Sequence, residues 1–166
     1  MLVMRAFLPL IWVVLAVPSI TAQEASIDVD QFRLETILGA QAKATVGTAA
    51  PSGQKSVEVV VSKPGLEFWS VELRAAGQKF EPGKTYEIKF AAKASPAQYI
   101  YVVPEKVNGN QASVAEGTTL RIPEDWTECT VVFHVTDTAD PGRLTLSNLA
   151  TNPATFGFGN FRMSVR

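Results

Sequence analysis

The residues with most to offer a ligand sit at alternating positions of short, extended-looking runs. In LEFWSVELR (66–74), Phe68, Ser70, Glu72 and Arg74 share one parity, and in QYIYVVPEK (98–106), Tyr99 and Tyr101 alternate with Ile100 and Val102. Successive side chains of a strand point to opposite faces. Glu72 and Arg74 therefore stand opposite Val71 and Leu73, and the two phenols share an outward stripe. A carboxylate and a guanidinium can pair with hydroxyl groups, and a flat ring can stack on an apolar ring face. Such matching matters because a polar group left unsatisfied on burial costs ~1–3 kcal/mol. Each feature also has a plainer use. Glu72 and Arg74 could be a solvated ion pair worth ~0–1 kcal/mol, and Tyr99 and Tyr101 could simply pack across strands.

Trp69 has the parity of Val71 and Leu73, which places it in the core unless a bulge reverses the strand. Glu87 and Lys89 share an outward face, and Asn108, Asn110 and Gln111 follow the tyrosines in a loop that could form a rim. His134, the single histidine, alternates outward with Val132 and Thr130. Without Cys, His or carboxylate partners at suitable spacing it does not mark a metal site, and it either lines a cleft or sits on the surface. Cys129 is the sole cysteine, so no intramolecular disulfide can form, and a buried, inert thiol is expected. Glu67, Glu72, Glu87 and Glu105 are scattered carboxylates with no motif pairing any two as acid and base. No nucleophile elbow, zinc-protease helix or phosphate loop is present. Catalysis is not expected.

The elements that must carry these residues are strands. Helical periodicity is nearly absent, and β-branched and aromatic runs recur between Pro, Gly, Asn and Asp. About eight or nine strands are expected, drawn from ten candidate runs: 31–37, 42–48, 55–61, 67–74, 85–94, 98–107, 118–122, 127–136, 143–149 and 155–165. Pro51-Ser52-Gly53, Lys63-Pro64-Gly65, Glu81-Pro82-Gly83 and Asp140-Pro141-Gly142 read as turns, and Asn108-Gly109 is the strongest hairpin signal. One apolar parity per strand, as in Tyr86-Ile88-Phe90 and Val131-Phe133-Val135, implies two sheets packed face to face. Trp126, after Pro-Glu-Asp, is expected to plug one end of the sandwich.

Residues 1–22, MLVMRAFLPLIWVVLAVPSITA, have one Arg, an apolar stretch and a small-residue ending, the pattern of a secretory signal peptide. The apolar stretch is shorter than the ~20 residues that span a bilayer. Residues 23–166 are expected to be one soluble, exported, monomeric domain, secreted or periplasmic. With 15 Lys and Arg against 16 Asp and Glu, the charge balance offers no argument for nucleic acid or an anionic membrane as partner.

FEPGKTYEIKFAAKAS, residues 80–95, resembles the Pro-Gly-Lys-x-Tyr run of carbohydrate-binding modules of families 4 and 9, which are galactose-binding-like jelly rolls. Ser52–Val57 (SGQKSV), Trp69–Leu73 (WSVEL), Pro123–Thr127 (PEDWT) and the closing FGFGNFRMSV are similar to family motifs in the same order. Glu72 departs from the Gln common in the Trp strand, and Gly159-Asn160 stands where an Asp is usual. Asp30-Gln31-Phe32 lacks the usual Asn-Gly-x-Phe-Glu lead. The resemblance implies an all-β jelly-roll sandwich of two antiparallel sheets that holds a polysaccharide or oligosaccharide, of β-glucan or xylan type, in a shallow cleft on a concave sheet. Trp69, Glu72, Arg74, Tyr99, Tyr101 and His134 are the candidate contacts, with Trp69 as a platform. It implies no cofactor beyond a possible structural calcium ion. The competing expectation is a jelly roll that serves as a structural or protein-contact domain of the cell envelope.

Overall fold

A computed structural model describes residues 24–108 and 112–166. The signal-peptide expectation for residues 1–22 lies outside these residues, as do Gly109, Asn110 and Gln111 of the expected hairpin and rim. Among the described residues eleven strands run β1 Ala25–Ile27, β2 Phe32–Thr36, β3 Gln41–Gly47, β4 Ser56–Lys63, β5 Val71–Phe80, β6 Thr85–Ser95, β7 Gln98–Lys106, β8 Thr118–Ile122, β9 Thr127–His134, β10 Ala139–Ser147 and β11 Ala154–Val165. They form two antiparallel sheets, one ordered β3-β4-β11-β6-β9 with β1 on β11, the other β2-β5-β10-β7-β8. The architecture is a sandwich of two sheets, as the alternation implied, and a jelly roll, as the resemblance implied.

Between the sheets lie Phe80, Phe90, Phe133, Phe156, Phe158 and Phe161 with Leu73, Ile88, Ile100, Leu144 and Leu146, all essentially sealed from water. Phe161 is the hub: it stacks on Phe90 at 5.1 Å and meets Phe32 at 4.5 Å between ring centroids, a geometry that adds to plain area burial. The Tyr86 ring packs edge-on against Phe80 while its hydroxyl accepts the Glu81 amide at 3.0 Å. That contact fixes the turn through Gly83, whose φ of +79° suits the glycine expected there. Cys129 is free and buried, and burial, then the charge of Glu128, raises its thiol pKa.

Three expectations change. The strand expected over 67–74 begins at Val71 and runs to Phe80. Residues 66–70 instead form a turn in which Ser70 Oγ accepts the Glu67 amide at 3.1 Å and the Ser70 amide donates to the Glu67 carbonyl at 2.9 Å. Gly65 permits this, because a β-carbon there would fall 2.3 Å from that of Ser70. Ser70 is thus fully buried rather than presented beside Glu72. Asp140-Pro141-Gly142 is a register irregularity inside β10, not a turn before it. Trp126, finally, lies over the outer side of β11, where its ring occupies the space a β-carbon on Gly157 would need, with Lys93 Nζ 5.3 Å from the ring centroid. It covers a sheet face instead of plugging an end.

Candidate binding face

The outer face of the β2-β5-β10-β7-β8 sheet is built by alternation. On β5, Val71, Leu73 and Ala75 point into the core, leaving Glu72 and Arg74 outside. On β10, Leu144 and Leu146 point in and Arg143, Thr145 and Ser147 out. On β7, Ile100 and Val102 point in, leaving Tyr99, Tyr101, Val103 and Glu105 outside. Strand register then assembles a row across the whole sheet. Glu35 of β2 faces Glu72, Ser147 Oγ donates to Glu72 Oε1 at 2.8 Å, Tyr101 pairs with Ser147, and Thr119 of β8 pairs with Tyr101.

Two carboxylates directly opposite one another repel, and Arg74 resolves the conflict by donating to both Glu35 and Glu72. Arg33, which faces Arg74 across β2 and β5, turns away and donates to the Asp30 and Phe32 carbonyls. Burial tends to lower the Arg74 pKa, but the hydrogen bond and charge of Glu35 and those of Glu72 outweigh it and hold the guanidinium above the usual arginine value. A second array sits beside the first: Arg143 Nε and Thr145 Oγ1 both donate to Glu105 Oε2, at 2.9 and 2.5 Å. Although these groups lie on an outer face, the Arg74 and Glu72 side chains are only 13% and 15% exposed, and those of Arg143 and Glu105 only 8% and 16%. Ionised donors and acceptors locked together in this way are short, directional and strong. The result is a fixed polar lattice whose remaining donors and acceptors could meet hydroxyls without first being ordered.

Aromatic side chains border the lattice. Tyr101 lies half-buried across the backbone of Gly117, where a β-carbon would come within 2.3 Å of its ring. Tyr99, opposite Arg121, is the more open ring at 60% exposure. Trp69 is outside the core at 38% exposure, in the 66–70 turn next to Phe68, whose carbonyl accepts the Ala150 amide just beyond β10. This resolves the core-or-surface alternative for Trp69: the turn, rather than a bulge, breaks its parity with Val71. Glu72, Arg74, Tyr99 and Tyr101 therefore share one sheet face, with Trp69 at an end of β5. His134 does not join them. It lies on the outer side of β9, at the edge of the other sheet, with Nδ1 3.3 Å from Thr85 Oγ1. Glu35, Glu105, Arg143, Thr145 and Ser147 were not singled out as contacts from sequence. The alternation Arg143-Leu144-Thr145-Leu146-Ser147 was the available signal for three of them.

Among the described residues no group of three or more His, Cys, Asp or Glu could hold a metal. A polar depression lined by Ser26, Asp28, Asn160 and Lys55 adjoins the carboxylates of Asp28 and Asp30. Lys55 Nζ already sits there, 2.5 Å from Asp30 Oδ2 and 4.0 Å from Asp28 Oδ1. Its hydrogen bond to Asp30, then the field of Asp28, raise the lysine pKa, so the carboxylates have an internal counter-ion.

Among the described residues no helix is long and apolar enough to cross a membrane. No curated protein sequence matches the chain. Solved structures do match its fold. A chain described as a CBM4 is 20% identical with a TM-score of 0.68, over 84% of this chain and 89% of that one. The N-terminal cellulose-binding domain of Cellulomonas fimi β-1,4-glucanase C is 13% identical with a TM-score of 0.62, over 82% and 90%. The CBM22-1 xylan-binding domain of Paenibacillus barcinonensis Xyn10C is 14% identical with a TM-score of 0.58, over 87% and 95%. The family model for the carbohydrate-binding domain of types 4 and 9 matches residues 36–150, well over half of the sequence, and the chain belongs to that carbohydrate-binding family.

Proposed function

We propose that this chain is an exported, non-catalytic module that holds a polysaccharide of β-glucan or xylan type across the outer face of the β2-β5-β10-β7-β8 sheet. The observation that carries the reading is the polar lattice: on a face turned away from the core, Glu35, Arg74, Glu72 and Ser147 are immobilised beside Tyr101. Sugar rings have apolar faces and hydroxyl edges, so a binding site needs both a flat ring and polar groups already in place. Tyr99 and Tyr101 supply rings, Trp69 extends the apolar border, and Glu72, Arg74 and Ser147 meet the hydroxyls. Cellulose and xylan, named for two domains of similar fold, are the polymers to try first. Affinity in about the micromolar to millimolar range, ~4–8 kcal/mol, suits a shallow contact of this kind.

The second reading, a protein-contact domain, is favoured by a specific feature. Ile37, Leu38, Leu66 and Phe68 are all exposed, Leu66 at 84%. Backbone hydrogen bonds from Ile37 to Ser70 and from Leu66 to Leu38 draw these segments together. Native affinity electrophoresis in gels cast with xylan, β-glucan, hydroxyethylcellulose and mannan separates the two. Retardation by one polymer that is lost in the folded Tyr99→Ala/Tyr101→Ala variant supports sugar binding. Unretarded migration in every gel rejects it and leaves the protein-contact reading.

A further inference from the structure

The binding face does not end at β8. Gly117, which backs the Tyr101 ring, and Thr119, which pairs with Tyr101, also form one wall of a cleft of about 600 Å³. The opposite wall is the outer side of β9, with Val132 and His134. Because β8 and β9 are the edge strands of their sheets, the cleft opens along the side of the sandwich, and Gly117, against which the Tyr101 ring lies, joins it to the face.

The geometry points to this cleft as the seat of a neutral sugar branch carried by a polysaccharide whose backbone lies on the face; the inference rests on the function proposed above. Its size falls within the ~300–1,000 Å³ typical of small-ligand sites. The lining is suited to polyhydroxyl chemistry: Thr118 and Thr119 offer hydroxyls, Thr136 a hydroxyl oxygen whose proton goes to the Val114 carbonyl, His134 an imidazole, Glu116 a carboxylate, and Val132, 43% exposed, an apolar patch. Among the described residues no Lys or Arg lines it, and Glu116 contributes negative charge, so an acidic branch such as a uronic acid is disfavoured by like-charge repulsion. His134 thus gains a role apart from the face to which the sequence assigned it.

The test compares polymers that share a backbone and differ in branching: unsubstituted xylan with arabinoxylan, and linear β-glucan with xyloglucan, each titrated calorimetrically against the full domain. The branched member of the accepted pair is expected to bind about three- to tenfold more tightly, the worth of roughly one added hydrogen bond. His134→Ala and Glu116→Gln, both at exposed positions, are expected to erase that preference and leave affinity for the linear polymer unchanged. Equal affinity for the two members in the parent protein, or a preference that survives both substitutions, overturns the branch site alone. Failure to bind any of the four polymers overturns the face as well.

Discussion

Ion pairs on the two outer faces of the sandwich differ in how much water reaches them. On the β2-β5-β10-β7-β8 face, Arg74 and Glu72 are 13% and 15% exposed, with only their outer partner Glu35 open at 49%; on the other, Arg162 of β11 and Glu128 of β9 are 33% and 58% exposed. Glu87 on that second face is itself covered, yet its partners Lys89 and Arg166 remain 37% and 58% exposed. Solvated pairs of this kind keep a sheet surface soluble and contribute little to stability. Covered arrays on an outer face have given up hydration without gaining the core, and they hold their groups in fixed positions. The aromatic groups divide in the same sense. Trp126 is spent on covering Gly157 with Lys93 beside it, while Tyr99 remains open next to the lattice.

The sharpest way to break this contrast is to remove one cation from each face. Arg74→Ala leaves Glu35 and Glu72 opposed and unneutralised, and urea unfolding should show a loss of about 2–3 kcal/mol. Arg162→Ala should cost under about 1 kcal/mol. Equal losses would mean that the lattice is no more than surface charge. Tyr101→Ala should weaken polysaccharide binding about tenfold, ~1.4 kcal/mol, as read by calorimetry. Trp126→Ala should lower stability by about 1 kcal/mol through lost apolar cover and leave calorimetric affinity unchanged, since it lies on the opposite face. The smallest effect is expected from calcium. With Lys55 already serving Asp28 and Asp30, millimolar calcium or a chelator should shift the melting temperature by less than about 1 °C, and a rise of several degrees would reveal a bound ion.

Most of the fold and half of the candidate face were legible because both depend on alternation. Tyr99, Tyr101, Glu72 and Arg74 could be placed outward from the apolar residues between them, with no knowledge of what lay alongside. Ser70 was misread, and Trp69 was left between core and surface, because the same parity was carried through residues 66–70, where Gly65 lets Ser70 tuck in and close a turn. The lattice itself was not readable in this way. Ser147 and Glu72 are 75 residues apart, and Arg74 and Glu35 are 39, so their meeting depends on strand order and register. His134 shows the same limit: its outward parity was legible, but not which of the two sheets carried it.

The most direct test of the central claim is a titration of the ¹⁵N-labelled domain with cellohexaose and xylohexaose, following backbone amide shifts. Binding across the β2-β5-β10-β7-β8 face predicts that the largest changes fall at Glu72, Arg74, Tyr99, Tyr101 and Ser147, with β3, β4 and β11 undisturbed. Changes confined to the β3-β4-β11-β6-β9 face or to the turn carrying Leu38 and Leu66, or none with either sugar, would contradict it.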